Sequence, residues 1–529
     1  MRLAIVGFGP RGLGALEALL RHGHGPISVD VFEPDPHPGA GPNFSPEEDP
    51  RCLLNLPLRD VKLPDPPNVS FPQFQEWVQE HDQNRFLPRA HLGAYLSARF
   101  SAVREALPDT FRLRILPHFV TYAGKGDDGA WVLNAGDKSF GPYDEVLLSL
   151  GQPDTIPDEQ IARWRAHADR HRLPFLAAYP TEAVVAAAEN WTDSVVGIRG
   201  LGLSTLDMIS VLTLGRGGHM HAGRYIPSGR EPATILPFSL DGMAPAPKPE
   251  TAELAARFAL DASEKETFRR LLAEALALDP DASVRHLAQT LLQPVARICG
   301  SDASEWIDTE LINPGTQRGE DPVAALRRDI AIAAGDEPPS VGYTVGQIWR
   351  GWQPDLRRVL RNTPARADTR MAIVGFDTGL KRYSYGPPVE DARLLLALIE
   401  QGLVRLTVAN DPDIELVPEG WRLDGRRTAG VMIDAVLPSA AFSSLDSKLI
   451  RGLAGRGAVR ALADTAGVET VSDGQVVAAD GITTRGMSML GRLTEGSVIA
   501  ADSIHDCFGM VADQWAKGMF ERAVKPVSR

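Results

Sequence analysis

Two stretches of this chain carry residue types and spacings that could hold a phosphorylated cofactor. The first is Gly7-Phe8-Gly9-Pro10-Arg11-Gly12. In this G-x-G-x-x-G spacing small residues let the backbone bend sharply toward a pyrophosphate, and the helix that follows supplies oriented N–H donors. Glu33 stands ~20 residues further on, where a carboxylate accepts hydrogen bonds from a ribose diol. Gly7, Gly9, Pro10, Arg11, Gly12 and Glu33 are therefore expected to bind an adenine dinucleotide. The second stretch is Gly200-Leu201-Gly202-Leu203-Ser204, with Thr205 where a third glycine would stand. It predicts a second nucleotide-type turn, with Gly200, Gly202 and Ser204 at the cofactor. The three cysteines form no C-x-x-C, so no dithiol redox centre is encoded.

Elements of matching kind surround both turns. Residues 2–6 read as a buried parallel strand, Leu13 to Leu20 as a helix and Ile27 to Glu33 as the next strand, which closes a βαβ unit. A long ordered loop follows over residues 34–70. Helices are predicted at Phe71 to His81 and Arg89 to Glu105, and strands at Phe111 to Leu116, Ala130 to Leu133 and Glu145 to Leu150. The second turn lies between a strand at Ser194 to Arg199 and a helix at Thr205 to Leu214. Ala, Leu, Glu and Arg at helical spacing from Pro249 onward predict a helical insertion. Strand signals return at Arg370 to Val374, Val404 to Val408 and Val431 to Leu437.

Composition narrows the function classes. The 529 residues allow several domains at ~150 residues each. A net charge of -13 disfavours binding to phosphate backbones or anionic lipid, so neither nucleic acid nor membrane is expected as a partner. No apolar stretch reaches the ~18 residues a membrane helix needs, and the opening residues lack a basic leader pattern. Sparse, scattered cysteines suit a reducing cytoplasm. His22 with His24 and His219 with His221 lack further ligands, so no metal is expected. The aromatic and basic run from Trp349 to Arg361 predicts an amphipathic helix over the active-site cleft.

Several motifs together resemble a family: bacterial FAD/NAD(P)-binding proteins related to the N-hydroxylating and flavin-containing monooxygenases, with members similar to urate hydroxylase and nitrosuccinate-forming aspartate N-monooxygenase. The resemblance rests on the first glycine turn, Leu54-Asn55-Leu56-Pro57, Leu87-Pro88-Arg89 with Tyr95, and Tyr143-Asp144-Glu145 leading to Ser149-Leu150-Gly151. It continues through the second turn with Asp207, Tyr385-Gly386-Pro387-Pro388, and Leu490-Gly491-Arg492 to Asp502. It implies an α/β fold of two Rossmann-like dinucleotide-binding domains, one for FAD and one for NAD(P)H, with an inserted helical subdomain. The FAD domain would take residues 1–190 and 441–529, the NAD(P)H domain 191–250 and 365–440, and the insertion 251–364.

The resemblance further places Asn55 and Arg89 near the flavin, Gly151 at the crossover between domains, and Asp502 on the ribitol chain. It implies a monooxygenase that N-hydroxylates a small polar amine, consuming dioxygen and NADH or NADPH. Ring hydroxylation of a urate-like purine and a non-catalytic flavin-bound scaffold or sensor are the alternatives. Lys248 and Arg382 are candidates to pair with a substrate carboxylate. The segment Ser239-Leu240-Asp241 offers no base for a 2′-phosphate, whereas Arg216, Arg224, Arg230 and Lys248 are near in sequence, so both nicotinamide cofactors stay open. No catalytic acid or base is assigned, and an oligomer is compatible with everything above.

Overall fold

The computed structural model describes residues 1–312, 320–361, 363–501 and 503–524. A six-stranded sheet runs in the order Gln475–Val477, Thr483–Met489, Glu145–Leu148, Arg2–Val6, Ile27–Phe32, Phe111–Leu116. The first pair is antiparallel and the remaining neighbours are parallel. Arg2–Val6 lies inside this sheet with four of its five residues buried, as an apolar run covered on both faces requires.

The helix Pro10–His22 starts where Pro10 presets the first turn, with Gly9 as its N-cap, and ends with Arg21 and His22 in its last turn. Its apolar residues Leu13, Leu16 and Leu19 share one core with Trp515, Ala516 and Met519 of the helix Met510–Val524. Inside that core Glu17 and Arg99 form a two-pronged pair at 2.7 and 2.8 Å, with side chains 1% and 0% exposed. A three-stranded antiparallel sheet, Tyr122–Lys125, Trp131–Ala135 and Lys138–Tyr143, precedes the strand Glu145–Leu148.

The second unit is a parallel four-stranded sheet in the order Phe175–Ala177, Val431–Asp434, Val195–Arg199, Thr234–Phe238. Leu203–Thr213 is its first helix, and Val196, Ile198, Met208, Ile209, Leu212 and Ile235 form its core. Between the strands Thr234–Phe238 and Val431–Asp434 the chain is mainly helical from Ala252 to Glu400.

Here the structure corrects the sequence reading. Arg370 to Val374, expected as a strand, lies within the helix Ala367–Ser384. Five apolar-rich residues fit either period, and the longer pattern decides: Arg370, Ile373, Val374, Asp377 and Leu380 are buried at helical spacing. Val404 to Val408 is no strand either. That stretch flanks Thr234–Phe238 through isolated bridges at Val404 and, further on, at Asn410. The helix expected at Phe71 to His81 shortens to Phe74–Val78, where Gln79 takes a left-handed conformation and ends it.

The aromatic run of the helix Val341–Arg361 is interior. Trp352 stacks on Phe268 at 4.4 Å, and Trp349 donates its indole N–H to Asp377 at 2.8 Å. No helix among the described residues is long and apolar enough to cross a membrane, and none of their His, Cys, Asp and Glu residues form a group of three placed to hold a metal ion.

Candidate functional site

The first glycine turn is built by close backbone approach. Gly7 has φ +87°, and a Cβ there would lie 2.4 Å from the Ser149 carbonyl oxygen. A Cβ on Gly12 would lie 2.6 Å from the Gly7 carbonyl oxygen, and one on Gly41 would come within 3.1 Å of the Gly9 Cα. No side chain caps the helix Pro10–His22, so its first N–H groups remain for a ligand. At the end of the second strand Glu33 turns into this turn. It accepts the Phe8 amide at 2.5 Å and the Asp35 amide at 2.9 Å, and burial raises its pKa. Ser149 donates its hydroxyl to the Gly7 carbonyl at 2.7 Å and so fixes the same turn. Gly151 follows at φ +67° with open space beside it. These features form a cradle that fits the diphosphate and ribose of a dinucleotide.

The Arg11 guanidinium donates to the carbonyls of Ala501 at 2.6 Å and Asp506 at 2.8 Å, and pairs with the Asp506 carboxylate at 3.0 Å. It ties the first helix to the carboxy-terminal segment. Asp502 lies outside the described residues.

The second glycine turn repeats the geometry. Gly200, at φ +113°, donates its N–H to the Phe238 carbonyl at 2.7 Å. Gly202 caps the helix Leu203–Thr213 with nothing within 4 Å of where its side chain would be. Thr205, in place of a third glycine, is fully buried.

Residues from both units meet between these turns. Arg89, first residue of the helix Arg89–Glu105, donates to Tyr179 Oη at 2.9 Å and pairs with the Asp207 carboxylate, which also accepts from Tyr179. Arg89 and Asp207 side chains are only 16% and 10% exposed. Burial pushes Asp207 up to about 6 even though Arg89 opposes it. Asp391, in the first turn of the helix Val389–Glu400, is raised well above the ordinary carboxyl range by burial and by the charges of Asp207 and Glu390. The Cys52 thiol beside this cluster is raised by burial and by Asp207, which leaves it unreactive.

Nearby, the Lys248 ammonium is buried and donates to the Asn55 carbonyl. Burial first, and then the like charge of Arg350, hold its pKa well below the lysine range. Arg350 is half-buried and carries no ion pair among the described residues. Arg382 brings its carbonyl to the Ala246 amide at 3.0 Å, but its guanidinium lies over the Tyr383 ring at 5.2 Å and acts on Asp329. Lys248 and Asn55 thus come together.

The spacing of motifs could not reveal Tyr179, Arg350 and Asp391, which reach the cleft only through tertiary folding. Asp207 did leave a signal, as a lone carboxylate in a helix whose residues from Thr205 to Thr213 are otherwise apolar or hydroxylic and all buried.

Comparison with known proteins bears on this geometry. Residues 4–153 match the model of an FAD-NAD(P)-binding family. A nitrosuccinic acid synthase from Aspergillus oryzae is 28% identical over 253 residues, 44% of this chain and 38% of that protein. An L-aspartate N-monooxygenase (nitrosuccinate-forming) from Streptomyces cremeus is 28% identical over 283 residues, 44% of this chain and 41% of that one. The match therefore spans about two-fifths of these relatives' own length. Among solved structures, ornithine N-hydroxylase from Kutzneria sp. 744 superposes with a TM-score of 0.52 at 10% identity, covering 98% of this chain and 99% of that one. The two chains share one fold. L-lysine 6-monooxygenase from Pseudomonas syringae agrees, with a TM-score of 0.51 at 13% identity over 99% of both chains. This fold accounts for the paired glycine turns and for the helical segment between strands of the second sheet.

Proposed function

We propose that the chain is an FAD-dependent, NAD(P)H-consuming monooxygenase that N-hydroxylates a small polar amine or amino acid. The observation that carries this reading is the pair of glycine turns, one in each unit, with Arg89 of the first unit paired to Asp207 of the second. The Streptomyces cremeus relative is named an L-aspartate N-monooxygenase, the Aspergillus oryzae one a nitrosuccinic acid synthase, and the ornithine N-hydroxylase was solved with reduced FAD and NADP+. FAD, when bound, would supply hydride acceptance and then dioxygen activation.

The chain's own residues would bind and position. Gly7, Gly9 and Gly12 admit the diphosphate, Glu33 takes the ribose, and the packed cleft excludes water from the reaction. The reading places the reaction in the reducing interior of the cell, consistent with Cys52, Cys299 and Cys507 all being free. Anaerobic mixing of the FAD-loaded protein with NADH or NADPH should bleach the flavin. Turnover under labelled dioxygen should then put one labelled atom on the substrate nitrogen, read by mass spectrometry. Label on a ring carbon would select a urate-type hydroxylation instead, and a flavin left oxidised by both reductants would select a scaffold.

Lys248 offers an N–H donor to a substrate carboxylate, and Arg350 beside it offers the positive charge. Replacing Lys248 by Met should raise the KM of an anionic substrate at least tenfold, about 1.4 kcal/mol. The melting temperature should hold or rise, because burial already disfavours the ammonium. A KM unchanged by that substitution would remove Lys248 from the substrate site.

A further inference from the structure

We infer that the second dinucleotide site selects a nicotinamide cofactor with an unphosphorylated adenosine ribose, NADH rather than NADPH, and that Asp241 makes the choice. The inference rests on the proposed reading of that site as the nicotinamide site. In a βαβ dinucleotide unit the residues just beyond the second strand reach the adenosine ribose. An acid there accepts from the free 2′-hydroxyl, and a base there pairs with a 2′-phosphate.

The second strand of this unit is Thr234–Phe238, parallel to Val195–Arg199 in the register Arg199↔Phe238. Its end is held beside the glycine turn, because the Phe238 carbonyl accepts the Gly200 amide at 2.7 Å. Ser239, Leu240 and Asp241 follow. Asp241 Oδ1 accepts the Ser239 hydroxyl at 2.8 Å and the Met243 amide at 3.2 Å, which fixes the carboxylate and leaves Oδ2 without a hydrogen-bond partner among the described residues.

The surroundings have the same sign. Residues 406–421 flank this edge, with the Ser239 amide bonded to the Ala409 carbonyl at 2.8 Å and the Asp411 amide to the Ser239 carbonyl at 2.7 Å. Neither that segment nor residues 234–247 contains a Lys or Arg, whereas Asp241, Asp411 and Asp413 all belong to them.

The bases that sequence proximity offered are committed or remote. Arg216, Arg224 and Arg230 lie after the helix Leu203–Thr213 and before the strand Thr234–Phe238, hence at the opposite edge of the sheet. The helix's 11 residues put that edge about 16 Å from the glycine turn. Arg199 is paired with Asp434 at 3.1 Å and Asp158 at 3.2 Å, and Lys248 serves the Asn55 carbonyl. Arg405 and Arg422, at the two ends of the flanking segment, are engaged by the Gly402 carbonyl at 3.2 Å and by Glu415 at 2.9 Å. A 2′-phosphate would therefore meet the Asp241 carboxylate, and like charges at this range reject a ligand.

Calorimetric titration of the FAD-loaded full chain with NAD+ and with NADP+, at one ionic strength, tests this without turnover. NAD+ should bind at least tenfold more tightly, Asp241→Ala should shrink the ratio severalfold, and Asp241→Arg should move it toward NADP+, with thermal melts confirming that both variants fold. Equal or tighter binding of NADP+ overturns the inference, as does an unchanged ratio in Asp241→Ala. Binding of neither nucleotide, with FAD retained, overturns both this inference and the nicotinamide reading of the site. Preferential NAD+ binding without flavin reduction leaves the selectivity standing and removes only the monooxygenase reading.

Discussion

Alanine in place of Gly7 should yield a protein that purifies without flavin. Two costs coincide at that position. The backbone sits at φ +87°, where an L side chain costs roughly 1–2 kcal/mol. A Cβ would also stand 2.4 Å from the Ser149 carbonyl oxygen, a main-chain atom that no rotamer change can move. Relief means separating the first strand's end from the crossover at Ser149, which opens the turn that the diphosphate would occupy. We expect FAD affinity to fall at least a hundredfold, about 2.7 kcal/mol. Gly25→Ala is the control: its φ is +86° but nothing lies within 4 Å, so it should lose about 1–2 kcal/mol of stability and keep its cofactor. Flavin absorbance per polypeptide after gel filtration reads the difference, and stoichiometric FAD in Gly7→Ala would defeat the assignment of this turn.

Arg89→Met should cost about 3–5 kcal/mol at pH 8, because it strands a buried carboxylate with only the neutral Tyr179 hydroxyl and Leu53 amide to hold it. The loss should shrink in acid. Asp207 has its pKa raised to about 6, above the 3.8 of an ordinary aspartate, so the folded chain binds this proton more readily than the unfolded one. Its contribution is fully present below the unfolded value and is lost as pH rises through the folded value. Without Arg89 the folded pKa climbs further, and the pH dependence steepens in the same direction. Urea midpoints at pH 5.5 and pH 8 measure this, and equal midpoints for the variant would refute the account. Because Arg89 and Asp207 come from different units, the variant should also slow flavin reduction more than its melting temperature alone explains.

How much of this was legible beforehand follows from where the determinants lie. Arg2–Val6, Arg89–Glu105 and Phe111–Leu116 agree end to end with the expectation, and in each case local punctuation such as Pro88 or the glycine turn marks the boundary. The helix Leu203–Thr213 begins two residues earlier than its periodicity suggested, because Gly202 serves as the cap. Arg370 to Val374 misled because a short apolar run is shared by both periods. The cleft itself was the least readable part. Arg89 meets Asp207 across 118 residues and Lys248 meets Asn55 across 193, and no spacing rule links such partners. Arg11, inside the glycine motif, likewise reaches Ala501 and Asp506, partners too remote in sequence for any spacing rule.

That fastening of Arg11 has a bearing on biogenesis. Its partners lie 490 and 495 positions downstream, and a Cβ on Gly14 would collide with the Cys507 carbonyl oxygen at 1.9 Å. The helix Pro10–His22 therefore keeps one side bare until a segment almost 500 residues further along the chain has been made. A chain cut before that segment would expose this side of the helix, an apolar surface that invites association.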